Sequence, residues 1–314
     1  MADNVKAVTY AKPFLKWAGG KTQLLGELCK RLPEGLGNGE ITRYVESFIG
    51  GGAFFFYLTR RFSFEQCSIC DANEELILAY RVIQRSVQTL ICELGVLESE
   101  YFAKNEKGRR EFYYEVRDSF NKKLPEINFQ NYGPAGITRA AEIIFLNHTC
   151  YNGLFRVNRR GEFNVPFGEY KNPDILNESN LASVATLLKK TRIIQGDFTQ
   201  CRNFVDDQTF VYFDPPYRPL SQTSSFTSYS KYGFSDTDQS RLADFFKELD
   251  VKGAKIMLSN SDPRNRDSYD TFFDDLFSDF PVERVPARRI INSIGARRGN
   301  IDELIITNYR TGKR

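Results

Sequence analysis

Histidine occurs once (His148), tryptophan once (Trp17) and methionine twice in 314 residues. A single histidine leaves too few nitrogen ligands for a histidine-based metal centre. Six cysteines in a chain of this length are too sparse for the framework of a small secreted disulfide protein, so reduced thiols are expected. Cys67-Ser-Ile-Cys70 has C-x-x-C spacing, but no second pair follows and no zinc site is expected. No Pro-Cys dipeptide occurs, which argues against a cysteine nucleophile of the kind used in cytosine chemistry. No apolar run reaches the roughly eighteen residues of a membrane-crossing helix, and no signal peptide opens the chain, so a cytoplasmic protein is expected. Strong charge of one sign is also missing: 43 Lys and Arg face 40 Asp and Glu, a formal net charge of +3. That excess does not by itself call for a polyanionic partner, although arginines cluster in RVNRRG (156–161) and ERVPARRIINSIGARRG (283–299).

What is present is an alternation of strand and helix patterns. Apolar runs ending in polar or glycine-rich turns occur at ITRYVESFIGGG (41–52), CSICDAN (67–73), TFVYFDPPY (209–217) and KIMLSNSD (255–262), with RIIQGDF (192–198) of similar form. Helix-period segments lie between them at 74–98 and 235–249, the second opening with Ser235 three residues before Asp238 as a capping box does. The alternation predicts an α/β protein with a mostly parallel sheet and helices on both faces, whose ligands bind beyond the carboxyl ends of the strands. Residues from about 100 to 175 break this rhythm, being aromatic, basic and punctuated by Gly and Pro. The expected division is therefore a catalytic domain from 1–73 and 178–314, with an inserted second lobe from 74–177. The run RPLSQTSSFTSYSKYG (218–233) has no periodicity and is expected to form a mobile loop.

In FIGGGAF, Gly50, Gly51 and Gly52 follow a strand and allow a ligand to approach the backbone. Asp71 ends the next strand near the spacing at which an acid accepts from a ribose, so the pair suggests an adenosine-containing cofactor. Glu46 either accepts from a cationic ligand or forms a salt bridge. KWAGGKT (16–22) is not a P-loop, because Leu15 stands where the first glycine must be and no strand precedes it. It reads better as a backbone cradle with Trp17 offering a flat contact for a cofactor. A nicotinamide-dinucleotide oxidoreductase would share the glycine turn and the ribose acid but gives no reason for DPPY.

In DPPY the Asp214 carboxylate and the Pro215 carbonyl can accept both hydrogens of one NH2 group. Those acceptors favour a pyramidal nitrogen whose lone pair can attack, which is stabilisation of a transition state and not proton abstraction by a strong base. Tyr217 would stack on the ring that carries the amine. DPPY alone leaves open an amine on RNA or on another substrate.

The ordered motifs FLKWAGGK (14–21), YVESFIGGGAFF (44–55), DAN (71–73), GDF (196–198) and DPPY (214–217), followed by ARRIIN and ELIITNY, resemble the Dam-type D12 class of adenine-specific DNA methyltransferases over nearly the whole chain. The resemblance implies a Rossmann-like sheet that uses S-adenosylmethionine without a metal, and an inserted, mainly helical target-recognition domain carrying a β-hairpin. It assigns the methyl donor to Trp17, Lys21, Glu46, Phe48, Gly50 and Gly52, with Asp71 on the ribose hydroxyls and Asp197 and Phe198 at the adenine ring. It gives catalysis to Asp214, Pro215 and Tyr217, and implies a monomer acting on double-stranded DNA, of bacterial, archaeal or phage origin. Ser47 departs from the usual proline of E-P-F. The segment NHTCYNGLFRVNRRGEFNVPFGEYK (147–171) resembles the recognition hairpin of members that methylate adenine in GATC. By that likeness Arg156 reads a guanine, Asn152 and Leu154 contact other base edges, and Tyr151 wedges beside an extruded adenine. Arg159 and Arg160 contact phosphate, and Asn164 shapes the hairpin base. Glu169 stands where some members carry a phosphate-contacting arginine, so looser backbone contact is expected.

Overall fold

The computed structural model describes residues 10–17, 19, 21, 24–130, 132–218, 233–287 and 301–311. Residues 219–232 of the loop expected at 218–233 and most of ARRIIN lie outside the described residues, as do parts of the 16–22 segment. In chain order the elements are α1 (Leu25–Cys29), α2 (Gly35–Asn38), β1 (Arg43–Glu46), α3 (Ala53–Thr59), β2 (Gln66–Asp71), α4 (Glu74–Phe102), α5 (Glu106–Lys122) and α6 (Pro134–Thr149). They continue with α7 (Glu178–Leu188), β3 (Thr191–Gln195), β4 (Thr209–Phe213), α8 (Asp236–Val251), β5 (Lys255–Ser261), α9 (Phe272–Leu276), β6 (Val282–Ala287) and β7 (Ile301–Thr307). All five strands expected from the apolar runs form.

The strands make one seven-stranded sheet in the order β3-β2-β1-β4-β5-β7-β6. β1 pairs in parallel with β2 and β4, and β4 in parallel with β5, while β7 runs antiparallel to both β5 and β6. The order turns back at β1, whose neighbours β2 and β4 lie on opposite sides, and such a switch point opens a crevice at the strands' carboxyl ends. Glu46 aligns with Tyr212 across β1 and β4, so Glu46 and Asp214 both emerge at that end.

The chain forms two compact units, one of residues 1–20, 50–61 and 73–193, the other of residues 21–49, 62–72 and 194–314. The first is helical. Helix α4 is capped by Asn73, whose side chain accepts from Leu76 N, and runs four residues further than its apolar pattern, with Ser86 leaving helical geometry inside it. Arg139 of α6 is 1% exposed and pairs through its guanidinium with Glu75 of α4, while also donating to the Phe120 carbonyl at 2.7 Å. In the second unit, α8 starts with the capping box read from Ser235 and Asp238. Its Leu242, Phe245, Phe246 and Leu249 pack with Val211 and Phe213 of β4, Ile256 and Leu258 of β5, and Leu304 and Ile306 of β7. This core is apolar and rich in phenylalanine, and it packs against β4 and β5.

Candidate active site

The DPPY turn begins one residue past the end of β4. Phe213 is fully buried, which anchors the turn, and Asp214 follows with its carboxylate partly accessible. Its Oδ1 takes an ion pair from Lys21 Nζ at 2.7 Å and a hydrogen bond from Ser259 Oγ at 3.2 Å. Ser259 is itself 2.8 Å from the buried hydroxyl of Tyr212. Both partners sit on one oxygen, and no described residue bonds Oδ2. Burial pushes the Asp214 carboxyl above its ordinary range, and the Lys21 ammonium pulls it partly back. The same ammonium donates to the Tyr217 hydroxyl and lies 4.3 Å from that ring's centroid, and Tyr217 donates to Glu303 of β7 at 2.8 Å. Burial, with Asp214 and Glu303 close by, raises the Tyr217 phenol well above normal, so it stays a neutral donor.

The other strand ends of this unit carry the remaining acids. Glu46 is 3% exposed and accepts from Tyr44 Oη at 2.6 Å. Ser47, where the family usually has proline, donates its N–H to the Tyr212 carbonyl at 3.4 Å and so extends the β1–β4 pairing, which a proline cannot do. Asp71 ends β2, and its carbonyl accepts from Gly196 N at 3.0 Å; the Cys70 thiol lies 3.6 Å from both the Gly196 and Asp197 carbonyls. These bonds set Asp71 beside the GDF turn. Gly196 has φ of +146°, a backbone conformation that strains any residue with a Cβ, so glycine is favoured there. Asp197 is bonded at both carboxylate oxygens. Its side chain caps the following turn by accepting from Thr199 N and Oγ1, and pairs with Arg241 at 3.1 Å. Although burial raises its carboxyl, these bonds hold the net shift below normal. Phe198 is buried against Phe48 and Phe245, at 5.5 and 5.8 Å between centroids, so of this aromatic group Phe48 is the more accessible ring.

The first unit holds the glycine turn and the 147–171 segment. Gly50 has φ of +48°, and a Cβ on it would come within 3.0 Å of the Trp17 indole. Trp17 thus lies against the bare turn and stacks on Phe155 at 5.3 Å and 19°. Gly52, at φ of +72°, would place a Cβ 2.7 Å from the Tyr80 hydroxyl, which donates to the Gly50 carbonyl.

In the 147–171 segment, antiparallel contacts join Cys150 to Phe167 and Val157 to Phe163 as single bridges. The expected hairpin is present but too short for a continuous ladder. Backbone bonds from Asn164 N to the Arg156 carbonyl and from Asn158 N to the Glu162 carbonyl close it, and the Asn158 side chain accepts from Arg160 N and Glu162 N at the tip. Asn121 of α5 clasps it by accepting from Phe163 N and donating to the Phe163 carbonyl. Arg156 is exposed and donates from Nε to Asn164 Oδ1 at 2.8 Å and from Nη2 to the Asn164 carbonyl at 3.3 Å. Tyr151, Asn152, Arg159 and Arg160 are exposed, and Leu154 is half-buried. Asn152 adopts φ of +55°, and its N–H donates to the Tyr170 hydroxyl. Glu169 pairs with Arg110 at 3.0 Å, neutralising a cation beside the hairpin.

Sequence reasoning missed Tyr212, Ser259, Glu303, Phe155 and Asn121. The polar run SNSD at the end of an apolar strand was a signal for Ser259; nothing local marked the others.

A Rossmann-like sheet with acids at its strand ends and an Asp-Pro-Pro-Tyr turn beyond β4 defines a methyltransferase of the mixed α/β type. Residues 17–291 match the D12 class N6 adenine-specific DNA methyltransferases. The chain is 51% identical over 299 residues to the type II methyltransferase M.MjaIII of Methanocaldococcus jannaschii, covering 95% of this chain and 99% of that one. It is 38% identical to the type II methyltransferase M1.LlaDCHI of Lactococcus lactis subsp. cremoris, over 95% of each chain. With the DNA adenine methylase of Escherichia coli it shares 32% over 96% of each. The chain therefore belongs to the D12 class N6 adenine-specific DNA methyltransferase family. Its methyl donor, by family, is S-adenosylmethionine and its substrate is DNA. No described helix is long and apolar enough to cross a membrane.

Proposed function

We propose that the enzyme methylates the exocyclic N6 of an adenine rotated out of duplex DNA, within the site GATC. The observation that carries the chemistry is Asp214, held through Oδ1 by Lys21 and Ser259 while no described residue bonds Oδ2. Oδ2 and the Pro215 carbonyl would each accept one N6 hydrogen, and Tyr217 would face the purine. The nitrogen lone pair would form the N–C bond as the C–S bond breaks with its electron pair going to sulfur, and the surplus N6 proton would then pass to solvent water. S-adenosylmethionine supplies an electrophilic methyl carbon on a sulfonium. In one unit the carboxylates of Glu46 and Asp71 and the partly accessible Phe48 ring stand at strand ends, and in the other Trp17 lies against a glycine turn whose Gly50 and Gly52 have positive φ. Gly50 and Gly52 would admit the donor, Asp71 would take the ribose, and Asp197 and Phe198 would serve the adenine through the turn they fix. Lys21 would act on the donor side and on Asp214 together.

Residues 74–177 would form the target-recognition domain, inserted in a catalytic domain of 1–73 and 178–314. The likeness of 147–171 to GATC-reading members, together with an exposed Arg156 held by Asn164, supports that site. Tyr151, Asn152 and Leu154 would contact bases, with Asn164 orienting Arg156 and Arg159 and Arg160 on phosphate. Radiolabelled S-adenosylmethionine incubated with a GATC duplex, a scrambled duplex and an RNA copy tests this. Label is expected in the first alone; equal incorporation into the scrambled duplex refutes the site, and incorporation into RNA refutes the substrate. Arg156→Ala should cost about 1–3 kcal/mol of discrimination between GATC and sites altered at one guanine.

A further inference from the structure

The DPPY turn has a weakness that its sequence conceals. Pro215 and Pro216 have no N–H, so neither can be tied down by donating a bond, and the soft torsions that remain must be set through their acceptors. The structure shows one such tie: Gln239 Nε2 of α8 donates to the Pro216 carbonyl at 3.2 Å. Gln239 is 1% exposed and occupies the first position of the buried stripe that continues through Leu242, Phe246 and Leu249. An apolar side chain is what that stripe would ordinarily place there. Behind it, fully buried Asn260 of β5 donates from Nδ2 to Gln239 Oε1 at 3.2 Å, and Asn260 Oδ1 accepts from the Ser261 N–H at 2.9 Å. The backbone N–H of Ser261 can only donate, so it fixes which way Asn260 faces, and Asn260 in turn makes Gln239 present its NH2 to Pro216.

We propose that Gln239, backed by Asn260, is a positioning residue for methyl transfer: the amide relay fixes the Pro216 carbonyl and thereby the aim of the Pro215 carbonyl and the Tyr217 ring. The φ of Pro216 is locked by its ring, so anchoring its carbonyl at one end, with Asp214 held at the other, leaves the intervening peptide little freedom. The proposal rests on the amine-holding role given to Asp214 and Pro215.

Gln239→Leu keeps most of the volume and removes both polar atoms. Its kcat should fall about 10- to 100-fold, while KM for S-adenosylmethionine and for DNA stays within about 3-fold. Gln239→Glu adds a chemical signature. A protonated carboxyl can donate to Pro216 and accept from Asn260, whereas an ionised one repels the carbonyl. The ratio of its kcat to that of the native enzyme should therefore fall as pH rises, while the Leu variant's ratio stays flat. Rates are taken below each variant's Tm and normalised to the fraction that binds S-adenosylmethionine, so a merely structural role lowers Tm without moving either ratio. A native kcat in the Leu variant, or a pH-independent ratio in the Glu variant, overturns the proposal. Asp214→Ala, assayed alongside, should be inactive yet bind S-adenosylmethionine. Normal turnover in that variant would sink the amine-holding reading itself, whereas an inactive Asp214→Ala with a native Gln239→Leu removes only the positioning role.

Discussion

Asp214 is asked to be ionised where burial works against its charge. Burial raises its carboxyl, and the Lys21 ammonium 2.7 Å away offsets only part of that effect. For a carboxyl raised in the folded state, the stabilising contribution is present below its unfolded pKa and lost as pH rises through the folded one. The form needed to accept from an amine is thus the form that costs stability. The acid limb of kcat should lie above the pH expected for a free carboxylate, and Lys21→Met should move it higher still. A pH–kcat profile at saturating S-adenosylmethionine checks both, and an unmoved limb in the Lys21 variant would show that the ion pair does not tune the acid. The Asp and the two prolines were legible in the sequence because strand end, stiff turn and acid are contiguous. The partners of Asp214 were not: Lys21 and Ser259 come from distant parts of the chain, and only the tertiary fold brings them to one oxygen.

At the scale of elements, periodicity did most of the work. The five apolar runs became strands, and α8 began at its capping box because those signals lie within a few neighbouring residues. The hairpin of 147–171 was legible as a segment and not as an object. Its ladder amounts to single bridges, and it keeps its shape through the Asn121 clasp from α5, a contact 42 residues away in sequence. Helices α4 and α6 are joined by the buried Glu75–Arg139 pair, in which burial raises the Glu75 carboxyl and Arg139 opposes the shift. Glu75→Ala leaves a guanidinium buried without its partner and should destabilise the protein by about 3–5 kcal/mol, read by urea or thermal unfolding. A loss under 1 kcal/mol, on the order of an exposed pair, would mean that the site relaxes to admit water.

Across the whole molecule, a formal charge of +3 conceals an uneven distribution. Many arginines of the second unit are spent internally: Arg284 on Asp262 and Asp274, Arg264 on Asp274, and Arg218 on Asp236 and Asp270. Arg159 and Arg160 instead stand exposed at the hairpin tip. Arg159→Ala should weaken binding to GATC and scrambled duplexes alike and lower the slope of log affinity against log salt by about 1. Fluorescence anisotropy across a salt series measures it; a selective loss on GATC would reassign Arg159 to base reading.

Sequence by itself determined the strands, the capped helices, the order of the motifs and the chemical types gathered at DPPY, because each depends on contiguous residues and short-range backbone physics. Tertiary structure decided which oxygen of Asp214 is occupied, how a turn without N–H donors is anchored, and which arginines remain exposed. Those outcomes depend on burial and on partners far apart in the chain. A buried amide such as Gln239 shows the difference: in sequence it is a polar interruption of an apolar stripe, and only packing against Pro216 and Asn260 gives it a role.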